Sequence, residues 1–80
     1  MKYDEWKEPG KTGKAYYIFW GLKSVKQVAE AVGIIAREKK IGADKLEFST
    51  AWIKGEDLYI GKGPVRGAKK AVAIFRRSSK

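Results

Sequence analysis

The residues of this chain that could do chemistry are cationic and aromatic. No carboxylate follows Asp57, yet Lys62, Arg66, Lys69, Lys70, Arg76, Arg77 and Lys80 do. Seven of the nine net positive charges therefore fall in the last 23 of the 80 residues. A surface kept charged for solubility intersperses both signs. A one-sided run is instead the footprint of a polyanion contact, in which amines and guanidinium groups neutralise phosphates and release counterions. Part of that run is Ile60-Gly-Lys-Gly-Pro-Val-Arg-Gly-Ala-Lys-Lys70, where glycines let backbone amides come close to a phosphate.

Ile60-Gly-Lys-Gly63 resembles the Gly-Lys-rich loop of KH domains, but Pro64 stands where that loop needs glycine and Gly67 compromises the helix that should follow. The run also resembles the basic loop before the last helix of double-stranded-RNA-binding domains, in a different order of elements. Each likeness covers about a dozen residues, and the chain is assigned to neither family. The Gly-x4-Gly-Lys-Ser/Thr loop that cradles nucleotide phosphates is absent.

Catalytic chemistry has little to work with. There is no cysteine and no histidine, which removes thiol nucleophiles, disulfides, zinc ribbons, and the commonest general base and metal ligand. Glu56 and Asp57 are neighbours in an expected turn, where solvated carboxylates are ordinary. Ser24, Ser49, Ser78 and Ser79 have no histidine to activate them. The reading is a non-enzyme without metal or cofactor.

The elements that must position the basic and aromatic groups follow from patterning. Residues 1–14 are polar and hold Tyr3 and Trp6 among charges, which predicts a flexible arm. Ala15-Tyr-Tyr-Ile-Phe-Trp20 is dense in aromatic and β-branched residues and ends at Gly21, the mark of a strand. Ser24 and Gln27 form a capping box ahead of an apolar stripe of Val25, Val28, Ala29, Val32, Ile35 and Ala36, predicting a helix over about 25–41 closed by Gly42. From Lys45 to Ile53, Leu46, Phe48, Thr50 and Trp52 alternate with Glu47, Ser49 and Ala51, a half-buried strand. The Lys54–Asp57 turn leads into a hairpin partner beginning at Leu58, followed by a basic loop over 61–69. Residues 70–77 read as a strand, with a short helix as the alternative, and 78–80 as a frayed tail.

The fold class expected is α+β: one domain over 15–77, with a single helix packed on a mixed four-stranded sheet in the order β-α-β-β-β. The strands flanking the helix should be parallel. With Leu46, Phe48, Trp52, Leu58, Ile60, Val72 and Ile74 beneath the helix, the opposite face would carry Tyr17, Phe19, Tyr59 and Phe75. Flat rings edged by Lys and Arg stack unpaired bases. Alternatively the rings are structural, covered by Tyr3 and Trp6 of the arm or by a second subunit.

The partner expected is therefore nucleic acid, RNA favoured over DNA. Lys62, Arg66, Lys69, Lys70, Arg76 and Arg77 would meet phosphates, and Tyr17, Phe19, Tyr59 and Phe75 would meet bases. The chain would be a component of a ribonucleoprotein particle such as the ribosome. The alternatives are a DNA-coating architectural protein and a protein–protein adaptor or homodimer that buries the aromatic face. Met1 is followed by charges rather than an apolar signal segment, and Ala15–Leu22 is too short to span a bilayer, so a cytoplasmic protein with no membrane contact is expected. The absence of Asn, the single Gln and abundant Lys follow the compositional habit of hyperthermophile proteins.

Overall fold

The computed structural model describes residues 1–10, 13–61 and 63–77. It is an α+β fold with one helix and five strands: β1 (Asp4–Lys7), β2 (Ala15–Trp20), α1 (Val25–Lys39), β3 (Leu46–Lys54), β4 (Asp57–Ile60) and β5 (Lys69–Arg76). A short 3-10 turn, Ala43–Lys45, precedes β3.

The sheet has the order β1-β2-β5-β3-β4, with every neighbouring pair antiparallel. The sheet has five strands rather than four, and it is antiparallel rather than mixed. The fifth strand comes from the segment read as an arm. Asp4-Glu5-Trp6-Lys7 presents only Trp6 as an apolar signal, yet it pairs with β2 from Asp4↔Ile18 to Lys7↔Ala15. Charged side chains are what an exposed edge strand uses to discourage unwanted pairing, so its polarity hid it. The hairpin is tied at its mouth by the Glu8 amide donating to the Lys14 carbonyl at 2.9 Å.

The mixed sheet fails because β5 does not add beside β4. It inserts between β2 and β3, antiparallel to both, so these two strands share a direction without touching. β5 is apolar on both faces, with Val72 and Ile74 toward the helix and Ala71 and Ala73 away from it. That pattern suits a central strand. The alternative of a helix at 70–77 does not arise.

The helix begins as its sequence requires. Ser24 is the N-cap, its Oγ accepting from the Gln27 amide at 3.2 Å, and the Gln27 side chain accepts from the Lys23 amide. It ends on Lys40 in the left-handed conformation (φ 56°), not on Gly42 as expected. The Ile41 amide then donates to the Ala36 carbonyl, as in a Schellman closure. The buried seam is Ala31 and Ile35 flanked by Val32 and Ala36. Val25 of the expected stripe is 84% exposed and Ala29 is also exposed.

Two clusters fill the two faces of the sheet. Between helix and sheet lie Tyr17, Phe19, Ala31, Ile35, Leu46 and Ile74. On the other face Ile18, Ala51, Ala71 and Ala73 are buried although no helix covers them. Their cover is the sheet itself. Trp6 of β1 and Leu58 and Ile60 of β4 pack on that same cluster, so the two edges of the sheet curl toward one another. Three alanines at the centre of this inner face provide the room to curl. A cleft of about 550 Å³ separates the edges, with Trp6, Tyr16, Leu58 and Ile60 among its walls. No helix among the described residues is long and apolar enough to cross a membrane.

Candidate nucleic-acid interface

Strand pairing assigns every side chain of the sheet to a face. Across β2, β5 and β3 the rows Tyr17–Ile74–Phe48 and Phe19–Val72–Thr50 point toward the helix. The rows Tyr16–Phe75–Glu47 and Ile18–Ala73–Ser49 point inward. Two of the four expected stacking rings are thereby lost. Tyr17 is 8% exposed and Phe19 0%, both beneath the helix. Tyr3, just before β1, covers them, its ring 5.9 Å from Tyr17 and edge-on, and 5.2 Å from Phe19. The reason is volume. The gap between helix and sheet accepts large rings, whereas the inner face opposite Ile18 offers only Ala73 and its small neighbours. Cover by the N-terminal segment, the alternative reading, describes these two residues, with Tyr3 rather than Trp6 as the lid.

Tyr59 and Phe75 do not share a face either. Phe75 turns inward against Tyr16 at 5.3 Å, with the Lys14 ammonium 5.1 Å above its ring. Tyr59 stands on the helix side, as the cross-strand partner of Trp52. Leu58 and Ile60, expected under the helix, belong to the inner cluster instead.

What the helix leaves bare can be reckoned from dimensions. Five strands about 4.8 Å apart span roughly 19 Å, while a helix with its side chains is about 10–12 Å wide. α1 covers β2, β5 and Leu46. Beyond it, on the same side of the sheet, Phe48 is 57% exposed, Thr50 is exposed, and Trp52 and Tyr59 are half-buried. The rings that β3 and β4 leave uncovered, Phe48, Trp52 and Tyr59, therefore lie on the helix side. Phe48 and Trp52 were missed as surface residues because their alternation was read as helix contact. The signal that could have found them was the width of one helix against the width of the sheet.

Cations frame this surface. Lys70 is the β5 partner of Trp52, so Lys70, Trp52 and Tyr59 form one row across three strands. Arg76 lies on the same face at the far end of β5, paired with Leu46. The two are six residues apart along a strand, about 20 Å. Both are exposed. The other basic residues sit elsewhere. Lys69 faces inward beside Ile53, and Arg66 is exposed in the loop before β5. Arg77 holds Glu47, Nε to Oε1 at 3.1 Å, while its amide donates to the Lys45 carbonyl. Lys62 lies outside the described residues. The structure thus brings Lys70 and Arg76 to the face that carries the rings, and places the other described cations, Lys69, Arg66 and Arg77, on the inner face, in the loop and in an ion pair.

Charge also says where a polyanion would not settle. The cleft between the sheet edges is rimmed by Glu8, Glu56 and Asp57. There the Glu8 carboxylate accepts from the Tyr16 hydroxyl at 3.0 Å, and burial followed by this bond pushes the Tyr16 phenol up from its ordinary value. Among the described residues, no group of three or more Asp or Glu gathers in a way that could hold a metal ion.

Set against models of known protein families, curated proteins and solved structures, the chain matches none.

Proposed function

We propose that this chain binds single-stranded segments of RNA without catalysis, as a component of a ribonucleoprotein particle. The observation that carries the reading is the uncovered surface of Phe48, Trp52 and Tyr59 with Lys70 and Arg76 on the same face. Each ring offers a π-face to an unpaired base, and each cation neutralises a phosphate of the strand that runs over them. Structured RNAs display unstacked bases in loops and bulges, which favours RNA over duplex DNA as the partner.

The test is a titration of the protein with single-stranded RNA, single-stranded DNA and duplex DNA at several salt concentrations. Single strands should bind tightest, with affinity falling as salt rises. Equal affinity for all duplexes, unchanged in Tyr59→Ala, would give preference to a DNA-coating role. The 57% exposure of Phe48 also suits a homodimer that buries this patch. Sedimentation decides that point: a salt-independent dimer with no affinity for any nucleic acid would replace the RNA reading. Whether the native protein sediments with ribosomes, with DNA or alone addresses the particle.

A further inference from the structure

At the loop end of β5, the curled sheet leaves a cleft of about 530 Å³ on its inner side, lined by Trp20, Ile53, Lys54, Gly55, Gly67 and Lys69. Its lining holds an indole, two lysines and no carboxylate. Trp20 is 37% exposed, whereas Trp6 and Trp52 are half-buried. Its Nε1–H donates to Asp4 Oδ2 at 3.0 Å, which fixes the ring edge and occupies its single donor. What remains available on that side chain is the π-face. Gly55 (φ 63°) and Gly67 (φ 78°) form glycine backbone at the wall; the space beside Gly55 is open, and beside Gly67 lies the Lys54 stem.

One residue, Lys54, both lines this cleft and shares a face of β3 with Trp52. Lys54 follows Trp52 by two positions on the same face of β3, about 7 Å along the strand. Its stem nevertheless reaches over to the loop, where Cε comes 4.0 Å from the position a Cβ on Gly67 would take. Lys54 therefore stands between the Trp52–Tyr59 row and the cleft. A chain of phosphates crossing Lys70 would pass Lys54, whose cross-strand partner is Asp57, and reach Trp20 and Lys69, where the one nearby carboxylate, Asp4, is already held by the indole N–H.

We propose that this cleft is a nucleotide site, in which one base of the bound single strand leaves the row of rings and stacks on Trp20 while Lys54 and Lys69 hold its flanking phosphates. The site rests on the RNA-binding reading above and extends its path around the loop end of the sheet. Volume fits a single small aromatic ligand, since binding pockets of about 300–1,000 Å³ are usual. The occupied indole donor makes recognition by stacking rather than by hydrogen bonding to the base edge, so the site should tolerate any base.

The experiment uses the full chain carrying Trp6→Phe and Trp52→Phe, in which Trp20 is the sole indole, titrated with oligouridylate of about ten nucleotides. Quenching of Trp20 emission on binding is expected. Trp20→Leu, which keeps apolar bulk and removes the π-face, should weaken binding by about five- to 150-fold. Lys69→Ala should lower both affinity and its salt dependence, and it needs no change to the indole. If the oligonucleotide binds but Trp20 emission stays constant and Lys69→Ala binds like the parent, the cleft proposal is overturned while the aromatic surface stands. If the wild-type chain does not bind the oligonucleotide at all, the RNA reading and this site both fall.

Discussion

Tyr59 is the direct cross-strand partner of Trp52, and both rings stand on the part of the sheet that α1 does not reach. Directly opposed residues have Cβ atoms about 5 Å apart, so the pair presents a continuous aromatic ledge. Removing one ring of a stacking ledge costs about 1–3 kcal/mol per base. Tyr59→Ala and Phe48→Ala should each weaken single-stranded RNA binding by about five- to 150-fold, as read by fluorescence anisotropy. Phe75→Ala is the matched control, because Phe75 faces inward against Tyr16. Its affinity should equal that of the parent. An equal loss from Phe75→Ala would mean that the ledge on β3 and β4 is not where bases stack.

Lys70 and Arg76 share a face with that ledge, whereas the Arg77 guanidinium is held by Glu47. A cation that neutralises one phosphate of a single strand contributes about 0.7 to the slope of log affinity against log salt. Lys70→Ala and Arg76→Ala should each flatten that slope by roughly this amount, and Arg77→Ala by less. Affinities measured between about 50 and 200 mM salt would check it. If all three variants shift the slope alike, the phosphate path is not confined to the face that carries the rings.

How far the sequence discloses this arrangement depends on the kind of signal. The helix was legible because Ser24 and Gln27 act within one turn, and β3 because alternation is local. The hairpin turn was legible too, with Gly55 at positive φ where a two-residue loop needs it. What was not legible depends on which strand lies beside which. Val72, Ile74, Ala71 and Ala73 announce a strand buried on both faces, but only its insertion between β2 and β3 decides that Phe19 lies under the helix and Phe75 does not. The segment around Trp6 failed for another reason, since an edge strand needs few apolar residues and is disguised by its charges. Of the candidate interface, the cations were visible as a run; their division among two faces and a loop was not.

The small residues of the inner face should be intolerant of growth. Ala51 and Ala73 are fully buried against Ile18 where the sheet curls on itself. Ala73→Val adds volume at the centre of that curl and should cost about 1–3 kcal/mol by overpacking. Phe19→Ala, under the helix, should cost about 3–5 kcal/mol through the cavity it leaves. In a domain of this size 1 kcal/mol lowers the midpoint of thermal unfolding by roughly 4–8 °C. Calorimetry on both variants is the measure. An Ala73→Val protein as stable as the parent would show that the curled face has spare room.

Two contacts tie β1 and the residue before it to the helix. The Tyr3 hydroxyl donates to Glu38 Oε1 at 2.9 Å, and Lys39 Nζ meets Glu5 Oε1 at 3.3 Å. The bond to Glu38, then burial, raises the Tyr3 phenol above its ordinary 10.0, and the bond to Glu5 raises the Lys39 ammonium above 10.5. In both cases the folded chain holds its proton more tightly than the unfolded chain. Stability from these contacts is therefore complete below the unfolded values and is lost as pH rises through the folded ones. Thermal midpoints should stay level up to about pH 10 with respect to these groups and fall beyond it. Tyr3→Phe keeps the ring over Tyr17 and Phe19 but has no proton to lose, so its decline above pH 10 should be shallower than the parent's. The exposed ion pair alone contributes little, so Lys39→Met should change the profile less than Tyr3→Phe. A parent and a Tyr3→Phe variant with superimposable alkaline profiles would mean that the Tyr3–Glu38 bond does not hold β1 to the helix in solution.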